Sequence, residues 1–255
     1  MPDLRIHLIQ TDQVWENPSQ NLIEIEKLMP TTAVDLIILP EMFSTGFSMN
    51  IHSLAEEMNG PTHRWMKEMA ARTAATLCGS LIIKEKNKFY NRMLWVTSEG
   101  ETEYYDKKNL FSPGEENKYY TPGHRRKVVK LKGWKINLQI CYDLRFPIWC
   151  SNNNDFDLQI FIASWPHTRA LHFEILSRAR AIENQAYVIA LNRCGSDGNA
   201  LEYKGKSQVI SPQGDILLEL GNQASSGSMT ISKENLKNYR KIFPFWKDGY
   251  GNPFV

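Results

Sequence analysis

No apolar run in this chain approaches the roughly 18 residues needed to cross a bilayer; the longest, such as Leu36 to Leu39 and Ile160 to Ala163, stop far short. A membrane span is therefore not expected. The start, Met1, Pro2, Asp3, lacks the basic and then hydrophobic pattern of a secretory leader, which points to the cytoplasm. The four cysteines, Cys78, Cys141, Cys150 and Cys194, form no CxxC pair and are spaced neither as a zinc site nor as a disulfide framework. Free thiols in a reducing compartment follow. Neither sign of charge dominates, with 30 basic and 28 acidic side chains, so there is no footprint of a nucleic-acid or polyanion binder. Repeats, low-complexity tracts and dividing linkers are likewise missing.

What is present is a chain of 255 residues, 42% hydrophobic, long enough to bury a sizeable core. Ile6 and Leu8 mark a first strand, followed by a helix over 19–29. The buried strand Leu36 to Leu39 then ends at Pro40 and a lone carboxylate, Glu41. A helix over 61–73 and a strand over 77–84 precede a hairpin of 89–97 and 101–105, which runs into Lys107 and Lys108. The polar loop 112–123 carries Glu115 and Glu116.

Trp134, Ile136, Leu138 and Ile140 alternate along a strand that delivers Cys141 shortly before Pro147. A strand over 157–164 runs out into SWPHTR. Over 170–184, Leu171, Ile175, Leu176, Ala179 and Ile182 recur at helical spacing and predict a stripe facing the core. Strands over 186–191, 207–210, 216–220 and 228–231 and a polar helix over 232–240 complete the pattern. Strands alternating with helices indicate one mixed α/β domain over 1–240. The tail 241–255, with Phe243, Phe245, Trp246, Tyr250 and Phe254, is expected to pack on that domain or on a partner subunit.

Glu41, Lys107 and Cys141 each follow an apolar strand. Singly, each has a plain structural account: a capping acid, a solvated lysine, a buried thiol behaving as a small hydrophobe. Together they are chemically complementary. A thiol must lose its proton to attack a carbonyl, a carboxylate can take it, and an ammonium can stabilise the oxyanion that develops.

The residues around these groups, LPEMF at Glu41, KNLF after Lys107 and CYDLRFP at Cys141, resemble the Glu-Lys-Cys signature of the nitrilase superfamily of carbon-nitrogen hydrolases. RARAIENQAYV from Arg178 and GKSQVISPQG from Gly205 extend the likeness along nearly the whole chain. The resemblance implies a four-layer α-β-β-α sandwich with Cys141 at a sharp strand-to-helix turn, and a homodimer formed through helices. It implies no metal and no organic cofactor. The family's second glutamate maps to Glu116, with Glu115 as the neighbouring choice. An oxyanion hole of Lys107 and the Tyr142 backbone N–H is implied, as is a thioester on Cys141.

EMFSTGF, CYDLRFP and SWP are most similar to the bacterial omega-amidase branch, which removes ammonia from the terminal amide of 2-oxoglutaramate and 2-oxosuccinamate. A small-molecule amide is thus the expected partner. Arg145 is the expected anchor for its far carboxylate, the alternative being a brace for the Cys141 turn. Trp165 and Phe43 are expected to wall the pocket. His167 and Arg169 depart from the small hydroxyl residues common in eukaryotic relatives. Three alternatives remain open: another amide, nitrile or N-carbamoyl substrate on the same machinery, a papain-like pair using His167 or His172, and a non-catalytic binding protein of this fold.

Overall fold

A computed structural model describes residues 2–249. Tyr250 and Phe254 of the aromatic tail lie outside the described residues. Strands β1 (Leu4–Gln10), β2 (Leu36–Ile38), β3 (Thr76–Glu85), β4 (Lys88–Val96) and β5 (Thr102–Asp106) build the first sheet. The second begins with β6 (Lys127–Leu131), β7 (Trp134–Ile140), β8 (Leu158–Ala163) and β9 (Tyr187–Asn192). A small hairpin, β10 (Cys194–Ser196) and β11 (Glu202–Lys204), separates these from β12 (Gln208–Ile210), β13 (Ile216–Glu219) and β14 (Ser225–Ile231). The strand orders are β14-β1-β2-β3-β4-β5 and β13-β12-β9-β8-β7-β6. Each sheet has a parallel centre, β1-β2-β3 in one and β7-β8-β9 in the other, flanked by antiparallel edges.

Such parallel centres need cover on both faces, which is why their strands read as unbroken apolar runs. Ile6, Leu8, Ile38, Met93 and Trp95 of the first sheet share one core with Ile136, Leu138, Ile140, Ile160 and Ile162 of the second. The opposite residues of the first sheet, Ile9, Ile37, Leu39, Leu77 and Leu94, pack on helices Pro18–Lys27 and Pro61–Thr73 through Ile25, Trp65, Met66 and Met69. Helix Ala170–Asn184 covers the second sheet. The expected α-β-β-α sandwich is therefore the observed architecture, and among the described residues no helix is long and apolar enough to cross a membrane.

The expected core-facing stripe of this last helix is met only in part: Leu176 packs on the core. Leu171, Ile175 and Ile182 face outward, 64%, 55% and 45% exposed, while Phe173, Ser177, Arg180, Ala181 and Asn184 face inward. The inward face carries polar side chains because it ties down a turn as well as packing on a sheet. Arg180 Nη2 donates to the Leu144 carbonyl at 2.7 Å, and Asn184 Nδ2 donates to the Cys150 carbonyl at 3.0 Å. The tail begins on its own domain, where Gln185 Nε2 donates to the Phe243 carbonyl at 2.7 Å.

Candidate active site

Strand ends from both sheets converge on one buried polar cluster. Glu41 follows β2, Lys107 follows β5 and Asn91 lies within β4, all from the first sheet, while Cys141 follows β7 and Ser164 follows β8 in the second. Lys107 Nζ donates to Glu41 Oε1 at 2.8 Å and to both oxygens of Glu116 at 3.0 and 2.9 Å. Asn91 Nδ2 bridges the same two acids, at 2.8 Å to Glu41 and 3.2 Å to Glu116. Backbone amides complete the set, Ser164 N to Glu41 Oε2 at 2.7 Å and Phe111 N to Glu116 Oε2 at 2.6 Å. Of the two neighbouring acids, Glu116 is the buried one; Glu115 is exposed and pairs with Lys118.

The electrostatics follow from burial and pairing. Burial pushes the Lys107 ammonium toward neutrality, but Glu116 and Glu41 outweigh it and hold its pKa above the ordinary lysine value. Burial raises the Cys141 thiol far above the usual cysteine range, and Glu41 adds to this while Lys107 pulls the other way. Burial likewise raises the Glu116 carboxyl against the pull of Lys107. The resting site is thus a neutral thiol beside a charged ammonium clamped by acids.

Cys141 itself has φ +45°, in the left-handed region that non-glycine residues seldom occupy. Residues Cys141–Arg145 form the 3-10 turn that follows, and Asp143 holds it. This buried carboxylate accepts from four donors: Tyr105 Oη at 2.8 Å, Ile140 N at 3.0 Å, and Asn109 N and Nδ2 at 2.9 Å each. It thereby joins the end of β7 to the segment just beyond Lys107. Burial raises its pKa, and those donors oppose the rise. Sequence reasoning missed Asp143 and Asn91. The available signal was an acid and an amide, each with one arginine nearby, inside largely apolar stretches, CYDLRFP and FYNRMLW.

A cavity of about 390 Å³ opens over Cys141, within the size range of small-molecule sites. Trp15, Phe47, Phe111, Tyr142, Trp165 and Tyr203 supply aromatic wall. Phe43 does not. Its ring lies 6.0 Å from that of Trp65, buried in the helix-sheet layer, because the chain turns after Glu41 and its side chain falls on the outer face of the sheet. The Phe47 ring instead sits 5.1 Å from Lys107 Nζ.

Arg145 lies on the cavity wall, its guanidinium 4.7 Å from the Trp165 ring centre and its Nη2 3.2 Å from His172 Nδ1. Arg180 also braces the turn, through the Leu144 carbonyl. Arg169 also lines the cavity, with its guanidinium 5.4 Å from the Phe111 ring centre. His167 lies outside this lining, on the short turn His167–Arg169.

Comparison with known proteins shows likeness in sequence and in fold. The carbon-nitrogen hydrolase family profile matches residues 5–241. An omega-amidase of Escherichia coli K12 is 42% identical over 252 residues, covering 97% of each chain. A 2-oxoglutaramate amidase of Bacillus subtilis is 30% identical over 250 residues, covering 95% of this chain and 96% of its own. A carbon-nitrogen hydrolase superfamily protein of Xanthomonas campestris, crystallised with an arsenic adduct in its active site, superposes with a TM-score of 0.95 at 43% identity, covering 100% of this chain and 99% of its own. Matched along its length in sequence and in fold, the chain belongs to the carbon-nitrogen hydrolase family.

Proposed function

We propose that the protein is an omega-amidase, hydrolysing the terminal amide of small 2-oxo dicarboxylic acid monoamides such as 2-oxoglutaramate and 2-oxosuccinamate and releasing ammonia. The observation that carries this reading is Lys107 held between Glu41 and Glu116, in the buried cluster behind Cys141, which lines a cavity whose wall bears Arg145. The similar omega-amidase and 2-oxoglutaramate amidase support the substrate class.

In this mechanism the thiol starts protonated, so attack and proton transfer go together. Cys141 Sγ bonds to the amide carbonyl carbon as Glu41 takes the thiol proton. Both Glu41 oxygens already accept hydrogen bonds, yet a carboxylate has lone-pair capacity to spare. Lys107 and the Tyr142 backbone N–H hold the oxyanion. Charge thus moves from Glu41 to the oxyanion, and Glu116 keeps Lys107 paired throughout. Glu41 returns the proton to the departing nitrogen, since an unprotonated amide anion is a very poor leaving group. Glu41 then activates water to hydrolyse the Cys141 thioester, freeing the acid and restoring the thiol.

Arg145 binds the substrate's far carboxylate through two parallel hydrogen bonds, and Trp165 carries that guanidinium on its ring. We further assign residues 1–240 to one domain, since a single core spans both sheets. A homodimer is supported by the outward stripe Leu171, Ile175 and Ile182, an apolar face on a covering helix. A cytoplasmic location is supported by four unbridged, buried thiols.

The test is ammonia release from 2-oxoglutaramate, 2-oxosuccinamate, glutamine, simple nitriles and N-carbamoyl amino acids. Preference for the 2-oxo amides is expected, with a thioester trapped in the wild type and none in Cys141→Ala. Best turnover on a nitrile would overturn the substrate assignment, and full turnover by Cys141→Ala would overturn the mechanism.

A further inference from the structure

The charges around the cavity are unevenly satisfied. Two acids stand on its wall, and both are engaged: Glu16 accepts from Ser48 Oγ at 2.5 Å and from Asn50 Nδ2 at 3.1 Å. Asp197 accepts from Tyr203 Oη at 2.8 Å and from the backbone of Asn199 and Leu201 at 2.8 and 3.0 Å. The two wall arginines are in the opposite condition. Neither Arg145 nor Arg169 has a carboxylate partner among the described residues; each lies against an aromatic ring, and Arg145 Nη2 also meets His172 Nδ1 at 3.2 Å.

Trp165 fixes the two arginines relative to one another. Its ring underlies the Arg145 guanidinium, and its Nε1 donates to the Arg169 backbone carbonyl at 2.8 Å. From that anchored backbone the Arg169 side chain reaches across to Phe111, on the segment that leads into Glu116. Phe111 stands edge-on to Tyr142, with ring centres 5.1 Å apart. A guanidinium parked on an aromatic face keeps its N–H edge free to donate sideways. Two such edges on one aromatic-walled cavity suit a planar, oxygen-rich anion. One fork already supplies two parallel bonds to a carboxylate, which leaves the second fork available for a neighbouring oxygen.

We propose that Arg169 is a second specificity-determining residue, donating to the 2-oxo oxygen of the substrate while Arg145 takes the adjacent carboxylate. This rests on the omega-amidase reading and deepens it: the site selects 2-oxo acid amides over amides with a bare carboxylate. A site built to donate hydrogen bonds rejects an analogue lacking the acceptor, because its own donors are then left unpaired.

The experiment compares 2-oxoglutaramate with glutaramate, which has the same length and carboxylate but no 2-oxo group, in wild type, Arg169→Gln, Arg169→Lys and Arg145→Gln. Loss of a hydrogen bond from a charged donor predicts an Arg169→Gln drop in kcat/KM of about 10- to 100-fold on 2-oxoglutaramate. On glutaramate it should change less than about threefold. Arg169→Lys should fall between, and Arg145→Gln should depress both substrates. Arg169 is half-exposed, so thermal melts of its variants should match wild type. Competitive inhibition by 2-oxoglutarate against glutarate gives a binding readout without turnover, and Arg169→Gln should erase the difference between them. Equal effects on the two amides, or none, would overturn the Arg169 assignment alone. A wild type that releases no ammonia from either amide, yet turns over another substrate, would overturn the substrate reading and this assignment with it.

Discussion

Replacing Lys107 by Met tests the charge arrangement most severely. The ammonium is buried between two buried carboxylates, 2.8 Å from Glu41 and 2.9 Å from Glu116. Removing one member of a buried ion pair costs about 3–5 kcal/mol, because the partner charge is left uncompensated. For a chain of this size that corresponds to a melting temperature lower by roughly 6–20 °C. The more telling effect is on pH dependence. In the wild type, Lys107 has a raised folded pKa, so its contribution is fully present below the ordinary lysine value and fades only as pH climbs through the folded one.

In Lys107→Met, only hydrogen bonds from Asn91, Ser164 N and Phe111 N remain to oppose burial and mutual repulsion of the acids, and the folded pair is expected to retain a proton that the unfolded chain gives up. A raised carboxyl pKa contributes stability at low pH and loses it as pH rises from the unfolded value, near 4.3, to the folded one. Across that window the variant loses about 1.4 kcal/mol per pH unit for each proton held. Urea melts at pH 5, 6 and 7 measure this directly. Lys107→Met/Glu116→Gln, with one acid neutralised, should regain stability at pH 7 while amidase activity stays lost. Parallel pH slopes for wild type and Lys107→Met would refute the reasoning.

Asp143→Ala strands four buried donors, each worth about 1–3 kcal/mol when unpaired; because total stability is about 5–15 kcal/mol, little soluble folded protein is expected. Asp143→Asn keeps the shape but turns one acceptor into a donor, and should cut kcat at least about 10-fold with KM nearly unchanged. Since the Cys141 thiol is held protonated, its reaction with iodoacetamide at pH 7 should depend on Glu41, and Glu41→Gln should slow labelling about 100-fold or more; equal rates, read by peptide mass spectrometry, would remove Glu41 as the base. Arg145→Lys should raise KM for carboxylate-bearing amides more than for neutral ones, because a lysine cannot make the two parallel bonds; equal rises would argue against an anchor.

The layers were legible where periodicity reports burial directly. The strands Trp134–Ile140 and Leu36–Ile38 and the helix Pro61–Thr73 lie where their apolar patterns place them. The helix Ala170–Asn184 was correctly bounded, but of its apolar stripe Leu176 packs on the core whereas Leu171, Ile175 and Ile182 turn outward. Its polar residues point inward to bind carbonyls of the nucleophile turn, and an apolar stripe records amphipathicity without saying which side holds the protein. Phe43 was misplaced for a related reason, since a residue just past a strand end follows the turn and not the strand. Glu41, Lys107, Cys141 and Glu116 were found through motif likeness and chemical complementarity. Asn91 and Asp143 escaped because a polar residue in a largely apolar stretch does not disclose its partners when these lie far along the chain, up to 50 residues away for Asn91.

Glu41, Lys107 and Asn91 hang from one sheet, Cys141 and Ser164 from the other, and the Ser164 N to Glu41 Oε2 bond of 2.7 Å is a stitch between them. Catalysis in this protein is therefore a gauge of how tightly the two halves of the sandwich are closed. A perturbation that loosens their seam by an ångström, through a larger residue at Ile38 or Ile160 for example, would silence the enzyme while leaving strands and helices spectroscopically intact. Amidase activity would fade before circular dichroism along a denaturant series, reporting the first opening of the core and not its final collapse.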